Sequence, residues 1–526
     1  MDTHADRIQP LCTQIAHFHH TRTPFRIYHG STNSTRHSGL TSANSVSTAH
    51  LNHVLAVNSS TKSIQVEPNV PMDALVTATL AHNLVPLVVM EFPGITAGGG
   101  FSGTSGESSS FRHGFFDATV TRIEIILGNG ELRTASRTEN AELFHAAASA
   151  FGTMGVITML EIQCRDAKPF VELSYLPARS IHDAMQIFHE KTHDPDIDYL
   201  DGIVFSQDHI VVCAGKLSDG PPSPPNPPIQ HFTRPQDPWF YLHAQSSGGL
   251  GREQTPTTNL IPLPDYLFRY DRGAFWTGRY AYHYFLTPFN RLTRYLLDYF
   301  MHTRVMYHAL HASGHATQYI IQDVAVPYSS AAAFLTWLDQ PQNFGAYPIW
   351  LCPLKRSTDT DADAQSTSNP EPLTRGKFPT SSGSSNPGIN DDTTHLLNFG
   401  LWAPSQNRGP AFIAQNRRLE QQVHALGGKK WLYACAYYTE AEFWEIYDKK
   451  RYDMLRGKYH AQYLGDLYQK VRVELEPEPR ANGKGKRKGV VGWGEWVRDV
   501  VWGVWPVSGL YGVWRAWWGG EYLLKR

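Results

Sequence analysis

The chain lacks any uninterrupted apolar run of the ~20 residues that a membrane-spanning helix needs. Residues 1–25 mix Asp, His, Arg and Thr without the apolar stretch of a secretory signal. The expectation is therefore a soluble or peripherally attached protein. Cysteine is scarce. Cys12, Cys164, Cys213, Cys352 and Cys435 are scattered with no Cys-x-x-Cys pair, which excludes a disulfide framework and a zinc knuckle and suits reduced thiols. The 25 histidines contain no His-Glu-x-x-His, so no metal site is expected. Net charge is also missing: Lys+Arg 47 against Asp+Glu 48 leaves −1, with no global attraction to nucleic acid. Nor is there a separate strand–Gly-x-Gly-x-x-Gly–helix unit for a second dinucleotide.

What is present is glycine, concentrated. Between Gly94 and Gly106 lie six glycines, interleaved with Thr96, Ser102, Thr104 and Ser105. Glycine lets backbone approach a ligand closely and lets peptide N–H groups converge on an anion, while hydroxyls add donors for phosphate or ribose. Apolar segments of strand character flank the loop on both sides, so it reads as a nucleotide-binding loop rather than a linker. A second donor-rich turn, His29-Gly30-Ser31-Thr32-Asn33-Ser34-Thr35, follows the strand-like Phe25-Arg26-Ile27-Tyr28. Pro71 opens a stretch with Met72, Leu75, Val76 and Leu80 at helical spacing. Gly128-Asn129-Gly130 marks a hairpin turn, because Asn-Gly accepts positive φ. Gly152-Thr153-Met154-Gly155 then opens an apolar strand beginning at Val156.

At 526 residues, 41% of them hydrophobic, two domains with appendages are expected. The reading is an N-terminal helix over 1–20, an α+β nucleotide-binding domain over 21–168, and a mixed α/β cap over 169–475. Insertions fall at 220–228, 246–258 and 357–392, the last too poor in apolar residues to fold alone. A tail over 476–526 carries Lys484, Lys486, Arg487 and Lys488 and then seven of the 14 tryptophans. Tryptophan favours the headgroup level and basic residues favour anionic lipid, so the tail reads either as an interfacial anchor or as a segment packed on the cap or a partner.

Two glycine-rich loops and a Gly-x-x-Gly strand start, in this order, resemble the FAD module of the vanillyl-alcohol oxidase/para-cresol methylhydroxylase family. Pro93–Gly99 matches its Pro-Gly-x-Thr-x-Gly-Gly pattern. A closer resemblance, to the Δ24-sterol reductase (diminuto) branch, rests on the run from Gly103 to Ser110 with His113-Gly114-Phe115-Phe116. It extends into the cap through Ile261-Pro262-Leu263, Phe275-Trp276, Gln322-Asp323 and Tyr347-Pro348-Ile349-Trp350, and on to about residue 470. The family usually carries an N-terminal transmembrane segment, which this sequence does not display.

The resemblance implies a two-domain FAD-binding fold with dissociable FAD, NADPH as electron donor and a sterol or triterpenoid substrate. Peripheral attachment to the cytoplasmic face of the endoplasmic reticulum membrane is expected, with a cytoplasmic location as the alternative. The matched FAD positions are Gly30, Ser31, Thr32, Asn33, Ser34, Pro93, Gly94, Thr96, Gly98, Gly99, Gly103, Thr104, Ser105, Gly106, Glu107, Ser108, Ser109, Gly152, Gly155 and Val156. Matched cap residues nominate Tyr266, Arg269, Arg272, Phe275, Trp276 and Trp350 for the substrate. Reducing an isolated alkene also needs an acid, for which Glu107, Tyr282, His283 and Asp323 are candidates. A flavin oxidase or dehydrogenase acting on an alcohol or secondary metabolite is the alternative on the same fold.

Overall fold

The computed structural model describes residues 2–30, 44–220, 227–247, 256–313, 315–356, 395–473 and 505–518. Ser31, Thr32, Asn33 and Ser34, the stretch 357–392 and the basic cluster at 484–488 lie outside the described residues.

The first domain is built on an antiparallel sheet. Its strands run in the order Val54–Asn58, Ser63–Val66, Val156–Asp166, Val120–Ile126, Leu132–Ser136, and Leu84–Pro86 pairs with the far end of Val156–Asp166. The Gly128-Asn129-Gly130 turn joins Val120–Ile126 to Leu132–Ser136 as read from the sequence. Helix Met72–Leu80 buries Met72, Leu75 and Val76, the side chains whose spacing marked it.

Between Asp166 and Phe170 the polypeptide passes into a second, eight-stranded antiparallel sheet. Its order is Thr257–Pro262, Phe170–Ala178, His209–Ser218, Tyr199–Ser206, Ile349–Lys355, His395–Pro404, Tyr319–Pro327, Lys429–Lys430. Both faces are covered. Val211 and Cys213 face the core shared with the first domain, while Ile210, Val212 and Ala214 face the helices Ile181–His193 and Ala331–Asp339. Period-two alternation between two apolar environments explains why this strand reads as one unbroken apolar run. The fold is α+β in two domains, as expected.

The segment 440–473, read with the cap, turns back onto the first domain. Phe443, Tyr452, Leu467 and Val471 pack with Ala146, Phe151 and Met154. Arg456 donates to the carbonyls of Thr153 and Leu464 at 2.8 and 2.7 Å. A cap helix closes the other side, where Arg304 bonds Asp73 at 2.8 Å and donates to the Pro93 carbonyl.

The N-terminal helix His4–His20 is fixed by charge as well as by Ile8, Leu11, Ile15 and Phe18. Hydrogen bonds with Glu124 and Glu67 raise His4 to about 9. Burial works against Glu67, yet His4, His53 and Arg7 hold it down to about 2. The His4 contribution is complete below its unfolded value of 6.5 and disappears as pH rises through 9. The Glu67 contribution is complete above 4.5 and disappears as pH falls toward 2. Hydrogen-exchange protection factors of this helix, with the intrinsic pH dependence of exchange divided out, are therefore expected to be largest between pH 4.5 and 6.5 and to fall on both sides. A protection profile with no alkaline fall would remove His4 from the account.

Candidate active site

The glycine-rich loop is more regular than its composition predicts. Residues Ala97–Gly103 form a short helix, capped by Thr96, whose hydroxyl accepts from the Gly99 amide at 3.1 Å. The amides of Ala97, Gly98 and Gly100 are bonded to Val70 O, Pro68 O and Thr96 O. At these positions the loop contributes shape rather than free donors. A Cβ on Gly98 would meet Pro68 Cβ at 2.6 Å, and one on Gly100 would meet Met90 Cε at 2.4 Å. Close packing against the domain's own backbone and core, not helix propensity, selects glycine here.

This helix lines a cavity of about 300 Å³ between the domains. Gly94, Thr96, Gly98, Gly99, Gly103, Thr104, Ser105 and Gly106 border it, and Gly152, Gly155 and Val156 join them. Pro93, Glu107, Ser108 and Ser109 are not among the lining residues. Ser108 instead welds the loop to the cap sheet, its carbonyl accepting from the Leu200 amide at 2.7 Å. Glu107 is buried and its Oε2 accepts from the Ser108 amide at 2.6 Å. Gly30 is also outside the lining, whereas its neighbour His29 is in it.

Three features fit FAD. A Cβ on Gly103 would meet nothing nearer than 3.9 Å, so a side chain there would take up cavity space. Hydroxyls of Ser102, Thr104 and Ser105 border the same space. A cation is present too: Lys470 lines the cavity and its ammonium donates to the Phe151 carbonyl, beside Gly152. Lys470 was not selected from the sequence, since a lone lysine in the short helix Leu467–Val471 carries no motif. Gly103→Leu is expected to weaken FAD binding by roughly 10–100-fold, the effect of about 1–3 kcal/mol of overpacking. Apoprotein stability should be unchanged, and titration by flavin fluorescence quenching checks both.

The cap side of the cavity is aromatic and polar: Tyr307, Asp323, Trp350, Asn398, Trp402, Trp431 and Tyr433. Asp323 is buried on the strand Tyr319–Pro327. Its Oδ1 accepts from Asn398 Nδ2 at 2.8 Å, and the Tyr433 hydroxyl contacts Oδ2. Trp431 Nε1 donates to Asn398 Oδ1 at 2.8 Å, which orients that amide with its NH₂ toward the carboxyl. Burial raises Asp323 to about 7, against the pull of the Asn398 bond. Glu91 also lines the cavity, and burial together with the charge of neighbouring Glu107 pushes it well above the carboxylate range. Asn398 and Glu91 escaped the sequence reading because each sits in an ordinary strand or loop context, and Tyr433, part of the matched stretch that runs on to about residue 470, was not nominated for the site.

A second cavity of about 420 Å³ adjoins the first, with Phe92, Tyr307 and Trp402 lining both. Phe275 lines it and packs on Trp402 with ring centroids 4.2 Å apart. Tyr282 also borders it, with its hydroxyl donating to the Thr293 carbonyl. His283, one residue on, is exposed and borders neither cavity. Tyr266, Arg269, Arg272 and Trp276 are buried outside both linings. Arg272 is held by Asp298 and by the carbonyls of Phe232, Pro235 and Asp237. Trp276 donates to the Trp402 carbonyl at 3.0 Å. Among the described residues no group of His, Cys, Asp and Glu could hold a metal ion, and no helix is long and apolar enough to cross a membrane.

Residues 6–136 match the family model described as an FAD binding domain. The chain is similar to the Delta(24)-sterol reductase of Homo sapiens, 26% identical over 433 residues, covering 80% of this chain and 76% of that protein. The Delta(24)-sterol reductase of Arabidopsis thaliana is 28% identical over 437 residues, 78% of this chain and 73% of its own length. Cytokinin dehydrogenase 9 of Oryza sativa subsp. japonica matches a shorter stretch, 34% identical over 131 residues and 24% of each chain. Similarity to the reductases thus runs through both sheets, and the glycine cradle, the hydroxyls and Lys470 meet the needs of the cofactor. The chain is an FAD-dependent oxidoreductase, similar through both of its domains to Delta(24)-sterol reductases.

Proposed function

We propose that the protein reduces the isolated alkene between C24 and C25 in the aliphatic tail of a sterol or sterol-like triterpenoid, with NADPH as electron donor. The observation that carries this reading is the apolar cavity sharing Phe92, Tyr307 and Trp402 with the FAD cavity. Its volume of about 420 Å³ falls within the ~300–1,000 Å³ of small-molecule sites. When bound, FAD supplies the hydride. The loop residues Thr104 and Ser105 and the cation of Lys470 would hold its diphosphate.

An alkene without a neighbouring carbonyl is a poor hydride acceptor, because direct attack would leave an unstabilised carbanion. Protonation at the less substituted carbon gives instead a tertiary cation that accepts hydride. Asp323 is the group we assign to hold that proton, at the carboxyl oxygen facing Tyr433. Near pH 7 a carboxyl raised to about 7 is protonated in a large share of molecules and still gives up its proton readily. The surrounding rings exclude water that would otherwise capture the cation. NADPH shares the flavin cleft in this reading and leaves before the sterol enters, which predicts ping-pong kinetics. The Trp-rich tail gives peripheral attachment at the endoplasmic reticulum membrane.

Mass spectrometry after anaerobic incubation of FAD-loaded protein with NADPH and desmosterol tests the reading. The expected product is heavier by two hydrogens and absent without NADPH. A flavin that bleaches while desmosterol survives would overturn the substrate. Rapid reoxidation by oxygen with no benefit from NADPH would favour the oxidase alternative.

A further inference from the structure

The C-terminal helix Val507–Trp518 has two unlike faces. Ser508, Gly509, Gly512 and Ala516 are buried, and a Cβ on Gly512 would meet the Ala309 carbonyl at 2.6 Å. The helix therefore lies against Thr303–Ser313 at backbone distance. Trp505 Nε1 donates to the Tyr284 carbonyl at 2.7 Å, and Ser508 pairs with His315 at 3.0 Å. Gly509, Leu510 and Val513 form part of the wall of the second cavity. On the outer side Trp514, Trp517 and Trp518 are exposed, Trp518 to 73%.

Across the same cavity lies a second apolar surface. Phe285, Thr287 and Leu297 line the cavity, and Leu286, Leu292, Tyr295 and Leu296 among the residues between them are exposed. Helix Arg291–Leu296 buries no residue, and Leu286 is 74% exposed. Fifteen large apolar side chains are exposed among the described residues. Five are Leu286, Leu292, Tyr295, Leu296 and Tyr299, and five more are Trp505, Leu510, Trp514, Trp517 and Trp518. Two thirds of the exposed apolar side chains thus fall in two segments, 286–299 and 505–518, that both contribute lining residues to one cavity. Such clustering marks an interaction surface.

Charge selects the partner. Segments 279–299 and 505–518 carry Arg279, Arg291, Arg294 and Arg515, and their one carboxylate, Asp298, is buried and paired with Arg272. Tryptophan, tyrosine and leucine with arginine and no exposed carboxylate is the composition that seats a protein in the headgroup region of an anionic bilayer. A second copy meeting the same face about a two-fold axis would set these arginines against one another without counter-charge.

We infer that this helix and the segment 286–297 form a lipid-facing portal through which the apolar substrate passes from an anionic bilayer directly into the second cavity. The inference rests on the membrane contact proposed above and adds the route. The tail helix is at once anchor and cavity wall, so bilayer contact and substrate entry share one surface.

Uptake of a fluorescent sterol, dehydroergosterol, by the full-length FAD-loaded protein tests this without relying on turnover. The sterol is offered from phosphatidylcholine–phosphatidylserine vesicles or from a cyclodextrin complex. Trp514→Ser with Trp517→Ser and Trp518→Ser, and separately Leu286→Ser with Leu292→Ser and Leu296→Ser, are expected to lower vesicle co-sedimentation and uptake from vesicles by about tenfold or more. Uptake from cyclodextrin should stay within about twofold, as exposed substitutions leave the fold intact. Variants that leave the vesicles yet still extract vesicle sterol at the normal rate would overturn the portal and spare the anchor. Wild-type protein that ignores vesicles would overturn both, and a dimer dissociated by the Trp substitutions would then identify a second copy as the occupant. No uptake from either donor would sink the cavity assignment and the portal with it.

Discussion

Replacing Asp323 by Asn is expected to slow alkene reduction by roughly 10²–10⁴-fold, the usual worth of a positioned acid. Reduction of the bound flavin by NADPH should be untouched. Asn has the shape of Asp and can still meet Asn398 and Tyr433, but it has no proton to give. Anaerobic stopped-flow with enzyme reduced beforehand isolates the sterol half-reaction, and its pH dependence carries a sign. Burial holds the Asp323 carboxyl at about 7, so the rate should be level below that pH and fall about tenfold per unit above it. The Asn398 bond pulls the group downward, so Asn398→Leu should move the limb to higher pH. Loss of rate in Asp323→Asn with the alkaline limb still present would assign the proton elsewhere, with Glu91 the next carboxyl lining the cavity.

The cofactor side of this site was legible because its chemistry is local. Glycines from Gly94 to Gly106 and the Gly152–Gly155 strand start each declare a tight approach within a few residues, and the structure brings them to one cavity. Which amides remain for a ligand was not legible. Pro68 and Val70, some thirty residues upstream, take up those of Gly98 and Ala97. The cap side is assembled at still longer range. Asp323 meets Asn398 75 positions on through strand pairing, and Tyr433 110 positions on through the return of the backbone. Tyr282 and His283 looked equivalent as neighbours, yet helical rotation buries the first and exposes the second. The tail offered two readings, and the described helix meets the packed one through its glycines while leaving its tryptophans exposed.

Arg269 shows why a matched cap motif need not touch substrate. Its Nη2 donates to Asp201 Oδ2 at 2.8 Å, both side chains being essentially inaccessible. Tyr270 Oη and Trp350 Nε1 donate to the same oxygen at 2.8 and 3.0 Å. The guanidinium lies over the rings of Tyr266, Tyr270 and Phe240. Asp201→Ala would leave a buried cation without its partner, for which the expected loss is about 3–5 kcal/mol. Arg269→Met added to Asp201→Leu removes both charges at similar volume, and most of that loss should be recovered. Urea midpoints of the FAD-loaded proteins check the pair. Trp350 also lines the FAD cavity, so releasing its indole from Asp201 should shift the flavin absorption band in both variants, whatever their stability. If the double variant recovers stability and still turns over sterol with unchanged KM, Arg269 braces the cavity wall. A KM that rises while stability recovers would restore it as a substrate ligand.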